Sequence, residues 1–204
     1  MGKWISSLRW TVPALVVACG LLGGCAGTVK SMREAPVEKS VSMRPEPGKA
    51  LVVFMRPSGM GFAVQSSVFD VNDNEPSLVG IVAAKTKVAY QAAPGVHLFM
   101  AIGESADYME AELLPDRTYY AQVSPRMGLW KARFSVEPVK PATLDTATFK
   151  GDFADCRWVE KTGESESWAR ENMPSVRARH AEYFKEWQTK PADQKPRLAA
   201  QDGR

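Results

Sequence analysis

Three patterns of apolar and polar residues follow one another along the chain. Residues 10–22 form a 13-residue apolar core that contains Pro13 and is followed by Gly23 and Gly24. A bilayer-spanning helix takes roughly 20 apolar residues, so this segment, with Lys3 and Arg9 ahead of it, reads as a signal segment over residues 1–24. Residues 25–48 carry isolated apolar residues, scattered charges and Pro36, Pro45 and Pro47. They predict a flexible tether whose 23 residues after Cys25 would span about 25 Å as a coil and reach about 75 Å when extended.

From residue 49 to 138 the pattern changes to short apolar or alternating runs, broken by turn residues every eight to twelve positions. Residues 51–55 are continuously apolar and predict a central strand covered on both faces. Arg56-Pro57-Ser58-Gly59 ends it. Strands follow at 63–71, 78–82, 87–91 and 96–102, with Ala93-Pro94-Gly95 reversing the chain before the last of these. Met109, Ala111 and Leu113 alternate with Glu110 and Glu112, and a turn at residues 114–117 leads into a strand at 118–123. Trp130, Ala132, Phe134 and Val136 then alternate with Lys131, Arg133 and Ser135, the cleanest period-two signal in the chain. The expected fold is mainly β, an antiparallel β-sandwich over residues 49–138.

Residues 139–204 predict a C-terminal helical appendage. A first helix is expected over 165–172, and Pro174 suits the first turn of a second helix that runs to Gln188 or Thr189. On the helical period, His180, Tyr183, Phe184 and Trp187 fall on the same face as Val176, whereas Glu182, Lys185 and Glu186 fall on the other. This aromatic stripe either packs on the β domain or docks a partner; Tyr183, Phe184 and Trp187 are the candidate partner-binding residues.

Composition narrows the functions. Lys plus Arg number 26 and Asp plus Glu 23, and loss of Lys3 and Arg9 with the leader leaves 24 against 23. No dense basic face is available for phosphate neutralisation, so nucleic acid is not an expected partner. Three cysteines, one of them in the leader, and two histidines furnish no zinc site and no disulfide framework. No metal and no cofactor are expected.

Leu22-Gly23-Gly24-Cys25 resembles the lipobox of bacterial lipoproteins. The resemblance implies cleavage before Cys25 and acylation of its sulfur and its new amino group, several chains on one residue making a lasting membrane anchor. Ala26, rather than Asp, after the cysteine implies sorting to the outer membrane in a two-membrane cell, facing the periplasm. Three further features are the apolar strand closed by Arg56-Pro57, the Pro94-Gly95-Val96-His97 hairpin and the Pro115-Asp116-Arg117-Thr118-Tyr119-Tyr120 segment. Together they resemble an uncharacterised domain of bacterial lipoproteins, similar in layout to sandwich modules of the transthyretin or carboxypeptidase-regulatory kind. That family brings no catalytic residue.

Candidate chemistry is sparse. Gly59-Met60-Gly61 lacks the third glycine and the following helix of a dinucleotide loop. Gly103-Glu104-Ser105-Ala106-Asp107 lacks the last glycine of a nucleophile elbow. His97 shares a strand face with Phe99 and Ala101 and would be a general base only beside an acid and a nucleophile. Asp70, Asp73 and Glu75 depart from the twelve-residue calcium loop. Cys156, among Phe153, Trp158 and Val159, is expected to be buried. The expected function is a non-catalytic envelope lipoprotein that binds an envelope protein or a cell-wall glycan. The alternative is a small periplasmic hydrolase using Ser105 with one histidine, or Asp107 with Glu110.

Overall fold

The structure, a computed structural model, describes residues 31–41, 43–72, 75–126 and 133–204. The lipobox residues Leu22, Gly23, Gly24 and Cys25 lie outside these, as do Asp73, Asn74, Trp130, Lys131 and Ala132. The described chain begins with β1 (Met32–Glu34), α1 (Val37–Val41), β2 (Ala50–Arg56), β3 (Ser66–Asp70), β4 (Ser77–Val82) and β5 (Thr86–Ala92). It continues with β6 (Gly95–Ile102), β7 (Ala106–Leu113), β8 (Thr118–Arg126), β9 (Arg133–Pro138), α2 (Pro141–Leu144) and α3 (Ala147–Asp155). It ends with β10 (Arg157–Lys161), α4 (Gly163–Thr189) and β11 (Arg197–Leu198). The protein is mainly β, with two sheets: a six-stranded one ordered β1-β10-β5-β2-β8-β9 and a five-stranded one ordered β11-β7-β6-β3-β4.

The unbroken apolar run at β2 is explained by its place. It lies between β5 and β8, and all seven of its residues are buried. By period two, Val52 and Phe54 face the second sheet, where the Phe54 ring meets Phe99 of β6 edge-on at 5.0 Å. Leu51, Val53 and Met55 face outward, on the side where Tyr120 meets Phe149 and Phe153 of α3. The two sheets thus share one core that includes Val52, Phe54, Val88, Phe99, Met109, Tyr119 and Val136. Gly80 marks a close approach of the two sheets, since a Cβ there would lie 2.8 Å from a Val88 methyl.

Purely antiparallel pairing is corrected. β2 pairs parallel to β8, β10 parallel to β5, and β11 parallel to β7. Each parallel pair joins strands far apart in sequence, which local turn spacing cannot reveal.

The ends of the chain also differ from expectation. Within the segment expected to be a free tether, β1 pairs antiparallel with β10, Met32 is buried, and Gly48 N–H donates to Asp116 Oδ1 at 2.8 Å. A three-residue strand with one apolar side chain has no periodic signature, and its partner lies more than a hundred residues away. The expected appendage likewise supplies a strand to each sheet, and the Arg204 and Thr118 backbones exchange hydrogen bonds at 2.7 and 3.0 Å.

The two helices expected around Pro174 are one, α4, with Pro174 inside it. Thr162 caps it reciprocally with Ser165. A proline costs a helix interior about 3 kcal/mol. Burial of Ala169, Val176 and Trp187 on either side of Pro174 offsets this. Among the described residues no helix is long and apolar enough to cross a membrane.

Candidate functional site

The sheets have two unlike ends. Arg56 closes β2 level with Thr86 of β5, which in turn is level with Arg157 of β10. Its side chain is fully buried and lies over the Phe134 ring at 5.0 Å. Nη1 donates to the Val64 carbonyl at 2.7 Å, and Nη2 donates to those of Met60 and Gly61 at 2.7 and 2.8 Å. Burial lowers the guanidinium pKa, and Nε has no partner among the described residues. An arginine stays charged even so, so the three carbonyl dipoles hold its charge and the charge holds the loop.

The clamped loop displays apolar side chains. Met60 is 52% exposed, Phe62 64% and Val64 38%. Behind it lies a groove of about 450 Å³ between the loop, the β6–β7 turn and α4, floored by Phe134, Ile102 and Ser67 and walled by Trp168 and Val176. Arg179 of α4 crosses to the carbonyls of Gly103 and Glu104 and fixes the far wall. Arg-Pro after an apolar strand, with glycines at 59 and 61, was the available signal for this loop. Its exposed apolar side chains were missed because an isolated Met or Phe in a turn carries no period.

The opposite end closes on itself. His97 Nδ1 lies 2.7 Å from Asp70 Oδ2, and Nε2 lies 2.8 Å from the Ala93 carbonyl. Tyr90 donates to the same Asp70 oxygen at 3.1 Å. The His97 ring also stacks on Phe99 at 5.7 Å. The acid that His97 would need as a general base is therefore present, but both ring nitrogens are engaged and Asp70 and His97 are each 7% exposed. Asp70 is correspondingly turned away from calcium binding.

Ser105 and His97 do not converge, nor do Asp107 and Glu110. Ser105 lies just beyond the Ile102 end of β6, with His97 near the other end. Asp107 and Glu110 differ by an odd number of residues on β7 and so point to opposite faces. Cys156 is buried, and desolvation raises its thiol to about 11. Trp187 is 4% exposed, and the stripe on α4 surrounds Tyr108, whose ring centre lies 5.6, 5.4 and 5.7 Å from those of His180, Phe184 and Trp187. Tyr183 and Phe184 are partly buried against the same core. The stripe thus packs α4 against the second sheet, with Trp187 buried and Tyr183 and Phe184 left partly accessible. No protein-family model matches the chain, and no curated protein matches it.

Proposed function

We propose that the protein is a non-catalytic lipoprotein of the bacterial envelope, anchored through Cys25, whose body binds a protein partner at the Arg56 end. Membership of an uncharacterised lipoprotein family, outer-membrane sorting and the transthyretin-like or carboxypeptidase-regulatory-like sandwich type belong to the same reading. The observation that carries it is the loop with Met60, Phe62 and Val64 exposed while one buried arginine holds its backbone. Apolar area left in water is a standing gain for any apolar surface that covers it, about 25 cal/mol per Å². A loop already ordered loses little further entropy on binding.

The anchor has the right polarity for this. Cys25 and Met32 are seven residues apart, a length that reaches at most about 25 Å. Met32 enters opposite Lys161, four residues along β10 from Arg157 and therefore about 13 Å from the Arg56 end. An anchored body would stand close to the lipid with its clamped loop at the far end from the chain's entry.

Photocrosslinking in intact cells tests the reading, with a reactive residue at position 62 compared with one at Val96, which is 66% exposed at the opposite end of β6. The expected result is one recurrent protein adduct from position 62 and none from 96. A glycan adduct alone, or equal yields from both positions, refutes a protein partner at this end. The anchor is tested separately: Cys25→Ala should abolish palmitate labelling, and unchanged labelling refutes lipidation.

A further inference from the structure

Outside the clamped loop, the exposed large apolar side chains of the described residues include Val96 and Leu114. Both stand at the His97 end, beside turns that strand pairing brings together. Ala50 lies level with Ala92, Leu51 with Thr118 and Gly95 with Leu113, so the turns at 45–49, 93–95 and 114–117 share this end. They are tied to one another and to the core. Gly48 N–H donates to Asp116 Oδ1 at 2.8 Å, and Asp116 N–H donates to the Lys49 carbonyl at 2.7 Å. His97 Nε2 lies 2.8 Å from the Ala93 carbonyl. Ala93, Pro94, Val96, Leu114 and Pro115 are all exposed and form an ordered apolar rim. The charges around it are balanced: Lys49 pairs with Glu46, Glu112 with Arg197, and Glu75 of the β3–β4 turn with Arg177.

The chain enters the fold toward this same end. β1 is antiparallel to β10, and β10 runs parallel to β5. Followed backwards from Glu34 to Met32, β1 therefore heads for the Ala92 end of β5. Thr162 Oγ1 donates to the Ser31 carbonyl at 2.7 Å and fixes the point of entry. The seven residues between Cys25 and Met32 reach at most about 25 Å, so an acylated Cys25 keeps this end close to lipid. Two exposed side chains alone would not hold a free protein on a bilayer. A tether this short makes the contact intramolecular, and high effective concentration then does what area does not.

We propose that Val96, Leu114 and the turns beside them rest on the phospholipid surface, their apolar side chains reaching below the headgroups. The contact rests on the acylation of Cys25. Balanced charge around the rim suits zwitterionic headgroups. The contact also orients the body, turning the clamped loop away from the membrane.

The test uses the full lipidated protein in vesicles of phosphatidylethanolamine and phosphatidylglycerol that include a lipid with a nitroxide on its headgroup. A fluorophore is attached at Val96→Cys or, for comparison, at Phe62→Cys. Cys156 is buried, and the parent protein put through the same labelling sets the background. The label at position 96 should be quenched several-fold more than the label at 62. A label at Ala93→Cys should be quenched as well, and adding Val96→Asp with Leu114→Asp should cut that quenching several-fold while the protein still floats with the vesicles. In protein that floats, equal quenching at 96 and 62, or a label at 93 that does not respond to the paired substitutions, overturns the contact and leaves the anchor standing. Protein that does not float refutes the anchor and the contact with it.

Discussion

The two ends of the sheets each bury a nitrogen-rich side chain, and they treat it oppositely. At the His97 end the partners are side chains and a turn carbonyl, contributed by β3, β5 and the β5–β6 turn, so the network ties the two sheets together. At the Arg56 end the partners are backbone carbonyls of one loop, and no carboxylate is among them. A buried side chain met by other side chains from both sheets locks a core; one met by the main-chain carbonyls of a single loop shapes a surface. The first end is a closure and the second a display.

The largest expected effect lies at the closed end. Asp70→Ala removes the oxygen that both His97 and Tyr90 contact, and it should cost about 4 kcal/mol, as breaking a buried pair does. Denaturant unfolding measures this. Adding His97→Phe should recover part of the loss, because replacing both partners is less costly than orphaning one. If the double variant is no more stable than Asp70→Ala, the network is not the tie described.

Arg56→Met should cost less, about 2 kcal/mol, although it breaks three hydrogen bonds. The freed carbonyls of Met60, Gly61 and Val64 sit in a loop that water reaches, whereas nothing replaces Asp70. The contrast should appear in hydrogen exchange: protection lost around residues 60–64 in Arg56→Met, and lost across both sheets in Asp70→Ala.

The acid limb of the stability profile sharpens the comparison once His180 is subtracted. Burial against Tyr108 lowers the His180 pKa from 6.5. The unfolded chain then binds a proton that the folded one resists, so this contribution is fully present above pH 6.5 and is lost as pH falls toward the depressed folded value. His180→Gln should flatten that part of the profile. A variant whose stability falls with pH just as the parent's does would remove His180 from the account. The smallest effect belongs to the display itself: Phe62→Ser should change stability by no more than about 0.5 kcal/mol, while weakening the crosslink from a reactive residue placed instead at position 60 of the same loop.

Much of the sheet was legible in the sequence because its signals are local. The seven-residue β2 carries an apolar run of the length expected of a doubly covered strand, and the alternation at Phe134 and Val136 does place both side chains in the core. What was not legible is long-range. No property of Met32 or Arg33 announces a ladder with Lys161 and Glu160, and nothing near Asp70 points to His97. Pro174 misled for a different reason: its local preference was outweighed by the packing of the residues around it. The aromatic stripe on α4 was correctly placed on one helical face, yet the sequence alone could not say that Tyr108 occupies it.

The pairing of β1 with β10 joins residues as distant as Arg33 and Glu160, 127 positions apart. Such a ladder sets an order of events in biosynthesis. During synthesis or translocation the N-terminal strand has no mate until almost four-fifths of the chain has emerged, so the outer edge of β5 also stays uncovered until then. Closing a loop of that length costs entropy before any contact compensates it, and folds dominated by such distant pairings form slowly. The protein therefore spends its early life with unmatched strand edges, a state that a chaperone could protect and that crowding with other nascent chains would punish.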